Sequence, residues 1–308
     1  MIHKPRIIKR GDTIGIVAPA GPFDKEKFIL GTKRLNEYGF KIKFLDTIFA
    51  KKGYLAGTDK RRADEINTMF CDKDVHAIFC ARGGYGSARL IPLLKADSIK
   101  KNPKIFIGFS DITVLHLFIH KTCSMVSFHG PMVATDQLAY IRALSEHCLL
   151  HALTKDSPLP PIPFSKNKIV REGRGKGVLI GGCLTLLIHS LGTHYEIDTD
   201  NKILLIEDRK EAPYRIDRML YHLKAAGKLE KINGVVFGDI LTSTQGRSDN
   251  EKKLRDLINE VFDRQNIPIC IGLPFGHALE NLTIPLGIEV TLDTDKCRLI
   301  FDETATVG

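Results

Sequence analysis

Short unbroken apolar runs take turns with stretches whose apolar residues recur at helical spacing along the first half of this chain, the pattern of strands alternating with helices. Thr13 to Ala18 predicts a strand, Lys25 to Tyr38 a helix stopped by Gly39, and Phe40-Ile42-Phe44 an alternating strand. A helix follows over Asp59 to Phe70, then a strand over Val75 to Cys80 and a helix over Ser87 to Leu94. Lys104 to Phe109 predicts a further strand, with a helix from Ile112 to His120 directly behind it. Units of this kind build a mainly parallel sheet covered on both faces, so the first half predicts a doubly wound α/β domain. Ligands of such sheets bind beyond the carboxyl ends of the strands. Three of these ends are turn-rich: Ala18-Pro19-Ala20-Gly21-Pro22, Ala81-Arg82-Gly83-Gly84-Tyr85-Gly86 and Gly108-Phe109-Ser110. They are expected to converge on one crevice.

Between Ser157 and Gly177 the sequence turns to prolines, as in Pro158-Leu159-Pro160-Pro161-Ile162-Pro163, and then to glycines and charges. This predicts a linker over 156–176, joining a domain over 1–155 to a second over 177–308. Beyond it Gly177 to Ile180, Ile203 to Ile206 and Gly234 to Gly238 predict strands, and Pro213 to Ala226 a helix with proline in its first turn. Gly287 to Leu292 and Cys297 to Phe301 predict an antiparallel pair, so the smaller C-terminal domain is expected to be mixed α/β with a β-rich end.

A chain of 308 residues can bury a substantial core in two such domains. Its apolar runs fall short of the roughly 20 residues that span a bilayer, and Met1-Ile2-His3-Lys4-Pro5-Arg6 offers no signal-peptide core. A cytoplasmic enzyme with no membrane partner is the expectation. The seven cysteines are scattered and show no Cys-x-x-Cys pair, which indicates neither a disulfide framework nor a zinc ribbon. A formal net charge of +9 favours anionic partners. The basic residues are spread along the chain, aromatics are few, and no nucleic-acid motif is present, so nucleic acid is not the expected partner.

Chemistry concentrates at the turns. In Gly108-Phe109-Ser110-Asp111-Ile112 a strand stops and a helix starts, which can lift the Ser110 hydroxyl to the sheet edge beside the free N–H groups of the helix. Ile112 stands where a Gly-x-Ser-x-Gly elbow has its second glycine, and a helix-capping serine is the alternative. Arg82-Gly83-Gly84-Tyr85-Gly86-Ser87 sits where a phosphate loop would, but Arg89 replaces the third glycine of a dinucleotide fingerprint, and no Gly-Lys-Ser/Thr is present. No cofactor is therefore expected, and Gly84 suits instead a close backbone approach to a reacting atom. A serine nucleophile needs a base and an orienting group. Glu207 and Asp208 both end an apolar strand and either can serve as the orienter; His277, in Leu273-Pro274-Phe275-Gly276-His277, lies on a bent loop that can aim it into a cleft. His116 and His120 are spaced four apart on one helix, yet no Glu stands between them and no third ligand suggests itself, so no metal is expected.

Taken in order, these segments resemble the LD-carboxypeptidase family of serine peptidases, which includes muramoyltetrapeptide carboxypeptidases and microcin C self-immunity peptidases. The resemblance rests on Gly11 to Gly21, Ala81 to Gly86, Gly108 to Asp111, Phe128-His129-Gly130-Pro131-Met132, Glu207-Asp208 with Ala212 to Leu220, and Pro274 to His277. It implies a triad of Ser110, Glu207 and His277, with an oxyanion hole from the N–H groups of Gly84 and Asp111, in a groove between the domains. It further implies a cytoplasmic murein tetrapeptide or muropeptide as substrate, cleaved before its terminal D-alanine without a metal, and a homodimer. An aminoacyl-nucleotide antibiotic is the rival substrate; a non-catalytic muropeptide-binding protein is a further alternative. Arg82 can bind the substrate's terminal carboxylate or make a structural salt bridge. Cys183 departs from the family's usual asparagine, which bears on substrate selection.

Overall fold

The computed structural model describes residues 2–209, 211–241 and 247–308. Its first half follows the predicted alternation, with β1 (Thr13–Val17), α1 (Lys25–Glu37), β2 (Lys41–Lys43), α2 (Asp59–Cys71), β3 (Ala77–Cys80), β4 (Ile105–Gly108) and α4 (Thr113–Cys123), and adds two elements the pattern does not predict, α3 (Ala96–Lys101) and β5 (Ser127–His129). The five strands lie parallel in the order 2-1-3-4-5, and every residue of β3 and β4 is buried, as central strands covered on both faces require. α1 starts where the Asp24 carboxylate accepts from the Glu26 and Lys27 N–H groups at 2.8 and 3.1 Å. The stretch expected as a helix over Ser87 to Leu94 is a 3-10 helix over Ser87–Leu93; Pro92 inside it has no N–H for an α-helical bond. α5 (Asp136–Ala139) and α6 (Ala143–Thr154) lead out of this half.

The segment expected as a linker is woven into a second sheet. It carries β6 (Ile162–Pro163), β7 (Ile169–Arg171) and the start of β8 (Arg174–Cys183). The prolines do not keep it out of the sheet; they confine β6 to two residues at its edge, where a missing N–H costs no ladder bond. Next come α7 (Leu184–Ser190), β9 (Lys202–Arg209), α8 (Pro213–Ala225), β10 (Gly234–Leu241), α9 (Arg247–Val261), β11 (Ile269–Cys270), β12 (Ile284–Leu286), β13 (Glu289–Asp293) and β14 (Arg298–Phe301). The eight strands run 6-14-13-8-9-10-11-7, with β8 to β11 parallel and the flanks antiparallel, including the expected β13–β14 pair. The fold is therefore mixed α/β, one parallel-rich sheet beside one mixed sheet.

β12 crosses between the halves. It pairs antiparallel with β5, Ile284 opposite His129, and so completes the edge of the first sheet with residues from the end of the chain. One apolar cluster accordingly runs through both sheets, from Ile107 and Phe128 to Leu179, Leu205, Phe275 and Leu286. A second seam joins β8 to α4: the Cys183 N–H donates to Thr113 Oγ1 at 3.0 Å. Gly182 permits it, because its φ of 145° and a Cβ that would lie 2.5 Å from Thr113 Oγ1 exclude other residues. Among the described residues no helix is long and apolar enough to cross a membrane.

Candidate active site

The chain turns abruptly after β4. Phe109 is extended at φ −155°, and Ser110 takes φ 63°, the left-handed region that costs a non-glycine residue about 1–2 kcal/mol, before a 3-10 turn leads into α4. Strain of this kind persists where the surroundings over-determine it. Here the buried Asp111 carboxylate accepts from the Ser87 N–H at 2.8 Å and ties the turn to the glycine loop. Gly83 lies over the serine so closely that a Cβ there would sit 3.2 Å from Ser110 Oγ.

The glycine loop is riveted from below. Arg62, fully buried, donates to the carbonyls of Pro19 and Gly86 and pairs with Asp59 at 2.5 Å, so one guanidinium fixes two of the three turn-rich strand ends. Gly84 is exposed at φ 121°, beside Gly21, whose N–H donates to Gly83 O at 3.1 Å. Among the described residues the backbone N–H groups of Gly84 and Asp111 have no acceptor. Arg82 is exposed and donates to Pro22 O at 2.7 Å; no carboxylate among the described residues pairs with it.

The opposite wall comes from β9 and the loop after β11. Neighbouring strand residues point to opposite faces, and Glu207 and Asp208 have separate partners. Asp208 Oδ2 accepts from the Thr185 N–H and hydroxyl, both at 2.8 Å, and Oδ1 from the Arg209 N–H at 2.7 Å. Burial pushes the Asp208 carboxyl up from its ordinary value, against these bonds. Glu207 is fully buried, and its Oε2 accepts from His277 Nδ1 at 2.6 Å. Burial favours the neutral acid, but the neighbouring imidazoles of His129 and His277 outweigh it and hold the Glu207 carboxyl down at about 2. An ionised carboxylate only accepts, so in the neutral ring Nδ1 of His277 carries the proton and Nε2 the lone pair.

Three contacts hold His277 there, none of them signalled locally in the sequence. Its ring packs edge-on against Phe109, the residue before Ser110, at 4.9 Å between centroids. Gln137 of α5 donates to the carbonyls of Gly276 and Ala278 at 2.9 and 2.6 Å, and Asn281 Oδ1 accepts from the Gly276 N–H at 3.0 Å. Gly276 itself takes φ 106°, and a Cβ there would lie 2.8 Å from Glu207 Oε2.

Ser110 and His277 face one cavity of about 860 Å³, also lined by Arg82, Gly84, Cys183 and Asp208. Cys183 brings a buried thiol to this wall, its pKa pushed well up by burial and by the Glu207 charge. His116 and His120 do not join the site. Both ring nitrogens of His116 are engaged, with Ser127 Oγ and Gly108 O at 2.9 Å each, and burial pushes its pKa down to about 3. Among the described residues no group of three or more His, Cys, Asp or Glu is placed to hold a metal ion.

Known proteins share this arrangement of chain. A probable murein peptide carboxypeptidase of Bacillus subtilis (strain 168) is 34% identical across 99% of this chain and 96% of its own. The muramoyltetrapeptide carboxypeptidase from Oxalobacter formigenes matches at a TM-score of 0.84 and 29% identity, over 95% of this chain and 99% of that one. MccF in complex with glutamyl sulfamoyl guanosine matches at a TM-score of 0.87 and 25% identity, over 99% of both chains. Residues 14–130 match the LD-carboxypeptidase N-terminal domain and residues 176–292 the LD-carboxypeptidase C-terminal domain. With both domains present in order and a relative at this identity along nearly its whole length, the chain belongs to the LD-carboxypeptidase family of serine peptidases.

Proposed function

We propose that the protein removes the C-terminal D-alanine from murein tetrapeptides in peptidoglycan recycling, with Ser110 as nucleophile, His277 as general base and Glu207 as the orienting carboxylate. The observation that carries this reading is the 2.6 Å bond from His277 Nδ1 to a buried, ionised Glu207, on a cavity whose other wall holds Ser110 at φ 63°. His277 Nε2 takes the Ser110 proton as Oγ attacks the carbonyl before the terminal residue. The N–H groups of Gly84 and Asp111, which lack acceptors among the described residues, receive the oxyanion. Collapse breaks the C–N bond and returns the proton from His277 to the leaving amine of D-alanine. Water, deprotonated by the same imidazole, then hydrolyses the acyl-enzyme ester and frees Ser110.

Substrate size and charge fit the cavity. About 860 Å³ lies within the range of pockets that bury a ligand of a few residues. Arg82, at the cavity without a carboxylate partner, is assigned the substrate's terminal carboxylate, which its planar fork matches in bidentate fashion. The murein peptide specificity in the names of the Bacillus and Oxalobacter relatives supports the tetrapeptide as substrate.

A second reading, cleavage of an aminoacyl-nucleotide on the same residues, is favoured by the likeness to MccF bound to glutamyl sulfamoyl guanosine. One experiment separates them. Purified protein is incubated with L-Ala-γ-D-Glu-meso-diaminopimelyl-D-Ala and, in parallel, with an aminoacyl sulfamoyl nucleotide, and products are followed by mass spectrometry. Tripeptide and free D-alanine, lost in Ser110→Ala, are expected. Cleavage of the nucleotide alone would move the substrate assignment, and cleavage of either substrate by Ser110→Ala would overturn the mechanism.

A further inference from the structure

The segment Phe128-His129-Gly130-Pro131-Met132 has no part in the triad, yet it brings a second imidazole to Glu207. His129, the last residue of β5, is fully buried between the rings of Phe109 and Phe275, at 5.6 and 5.9 Å between centroids. Its Nε2 lies 3.7 Å from Glu207 Oε1, the oxygen that His277 leaves unused. That is longer than a hydrogen bond, and among the described residues neither ring nitrogen of His129 nor Glu207 Oε1 has a hydrogen-bond partner. Three buried polar atoms without partners are costly to keep, whereas a phenylalanine in this aromatic slot would not carry that cost.

The residues that hold His129 belong to both halves of the chain. β4 pairs with it through Gly108, and β12 closes over the other edge with Ile284 opposite. The imidazole is thus fixed by backbone on two sides and by two neighbouring aromatic rings, while Glu207 stands on a strand of the other sheet. Movement of the two sheets by less than 1 Å relative to each other brings Nε2 and Oε1 to hydrogen-bond length.

We propose that His129 is a positioning residue for the reaction: its Nε2–H donates to Glu207 Oε1 when the substrate draws the two walls together. The carboxylate is then held by one imidazole on each oxygen. His277 fixes its direction, and His129 keeps it ionised and in plane while positive charge develops on His277. The other ionisable groups near the pair are His116 on α4, Cys183 on β8 and Asp208 on β9: burial keeps the His116 ring and the Cys183 thiol neutral, and the Asp208 charge on the other side of β9 favours protonation of Glu207, which the His129 donor opposes. His129 does not line the cavity, so its effect on substrate binding is expected to be small.

This inference rests on the triad reading, and the test keeps the two apart. Loss of D-alanine release in Ser110→Ala and Glu207→Gln addresses the triad alone. His129→Phe fills the slot and removes the donor, and His129→Gln restores an N–H. With His129→Phe, kcat is expected to fall about ten- to a hundredfold, the weight of one hydrogen bond to a charged group, at unchanged KM. A dyad without its donor is more basic in the substrate complex, so the acidic limb of the kcat profile moves to higher pH. His129→Gln is expected to recover part of both. In 15N-histidine-labelled Ser110→Ala protein saturated with the tetrapeptide, the Nδ1–H resonance of His277 should also shift when His129→Phe is added, a readout that needs no turnover. A folded His129→Phe variant with a wild-type acidic limb and an unmoved His277 resonance would overturn the proposal, even if its melting temperature had dropped. A fall in kcat in His129→Phe with neither shift, unrecovered in His129→Gln, would assign His129 to packing alone.

Discussion

Replacing Gly276 by alanine tests how His277, the proposed base, is held more sharply than removing the imidazole itself. Two separate effects are expected from the one methyl group. The first is backbone strain: Gly276 has φ 106°, and a side chain in such a conformation costs about 1–3 kcal/mol. The second is a collision, because the new Cβ would lie 2.8 Å from Glu207 Oε2 and 3.0 Å from Glu207 Cβ. Glu207 is fully buried on a central strand and cannot retreat freely, so the loop bearing His277 must move. A displacement of under 1 Å stretches the 2.6 Å bond to His277 and turns its ring within the cavity it shares with Ser110. Misplacement on that scale can cost about a hundredfold in rate. Gly11→Ala is the control, since Gly11 has φ 94° with nothing within 4 Å of its would-be Cβ and carries the strain without the collision. Both variants should lose stability in urea unfolding, Gly276→Ala by at least as much as Gly11→Ala, which carries the strain alone. Only Gly276→Ala should lose kcat by about two orders of magnitude with D-alanine release as the assay. Equal kcat in the two variants, at matched stability, would refute the claim that Gly276 sets the Glu207–His277 geometry.

Further substitutions probe the other supports. Ser110→Gly removes the hydroxyl and relieves φ 63°, so turnover should vanish while stability rises by about 1 kcal/mol after glycine's larger unfolded-state entropy is allowed for; a fall in melting temperature would show that the turn is not strained. Gln137→Ala cuts the two bonds to the Gly276 and Ala278 carbonyls and should lower kcat more than it changes KM; a change in KM alone would mean that Gln137 serves the substrate rather than the loop. Glu207 is held at about 2 against an ordinary 4.5, so the stability it contributes is complete above about pH 4.5 and is lost as the pH falls through about 2. The melting temperature of the wild type should therefore drop more steeply across that window than that of Glu207→Gln, and parallel curves would contradict the ionised, paired carboxylate.

What the sequence makes legible is what local periodicity can carry. The alternation of β1 to β4 with their helices is visible because β1, β3 and β4 are continuous apolar runs, β2 lies in an alternating stretch and each long helix shows its own spacing. The elements that escape are the short edges. β6 and β12 each contain a proline, Pro163 and Pro285, and a two- or three-residue strand has no period to detect; they are strands only because a partner edge waits for them. The proline-rich run after Ser157 reads as a linker for the same reason. Composition reports that a segment cannot form a central strand, not that it leaves the sheet.

The site divides along the same line. Ser110, the glycine loop and the bent loop of His277 announce themselves through turn chemistry, since a strand end, a glycine cluster and a Pro-Phe-Gly-His turn are local events. Glu207 and Asp208 cannot be told apart by position, because both end the same apolar run. What separates them is the side of β9 each faces: Thr185 at the start of α7 engages Asp208, and the His277 loop engages Glu207. Arg62 and Gln137 leave no sequence signal at all, because their work is to join segments far apart in the chain, two strand ends in one case and a helix to a loop in the other, while Asn281 braces the His277 loop from within it. These joining residues share a physical requirement. A cleft between two sheets keeps its reacting groups in register only if buried polar side chains cross from one sheet's elements to the other's, and apolar packing through the common core, being non-directional, cannot set an imidazole's angle. The precision of the Glu207–His277 pair is therefore expected to reside in Gln137 and Thr113 as well as in the loop's own Asn281, and loop grafts that omit Gln137 and Thr113 should bring the histidine without its geometry.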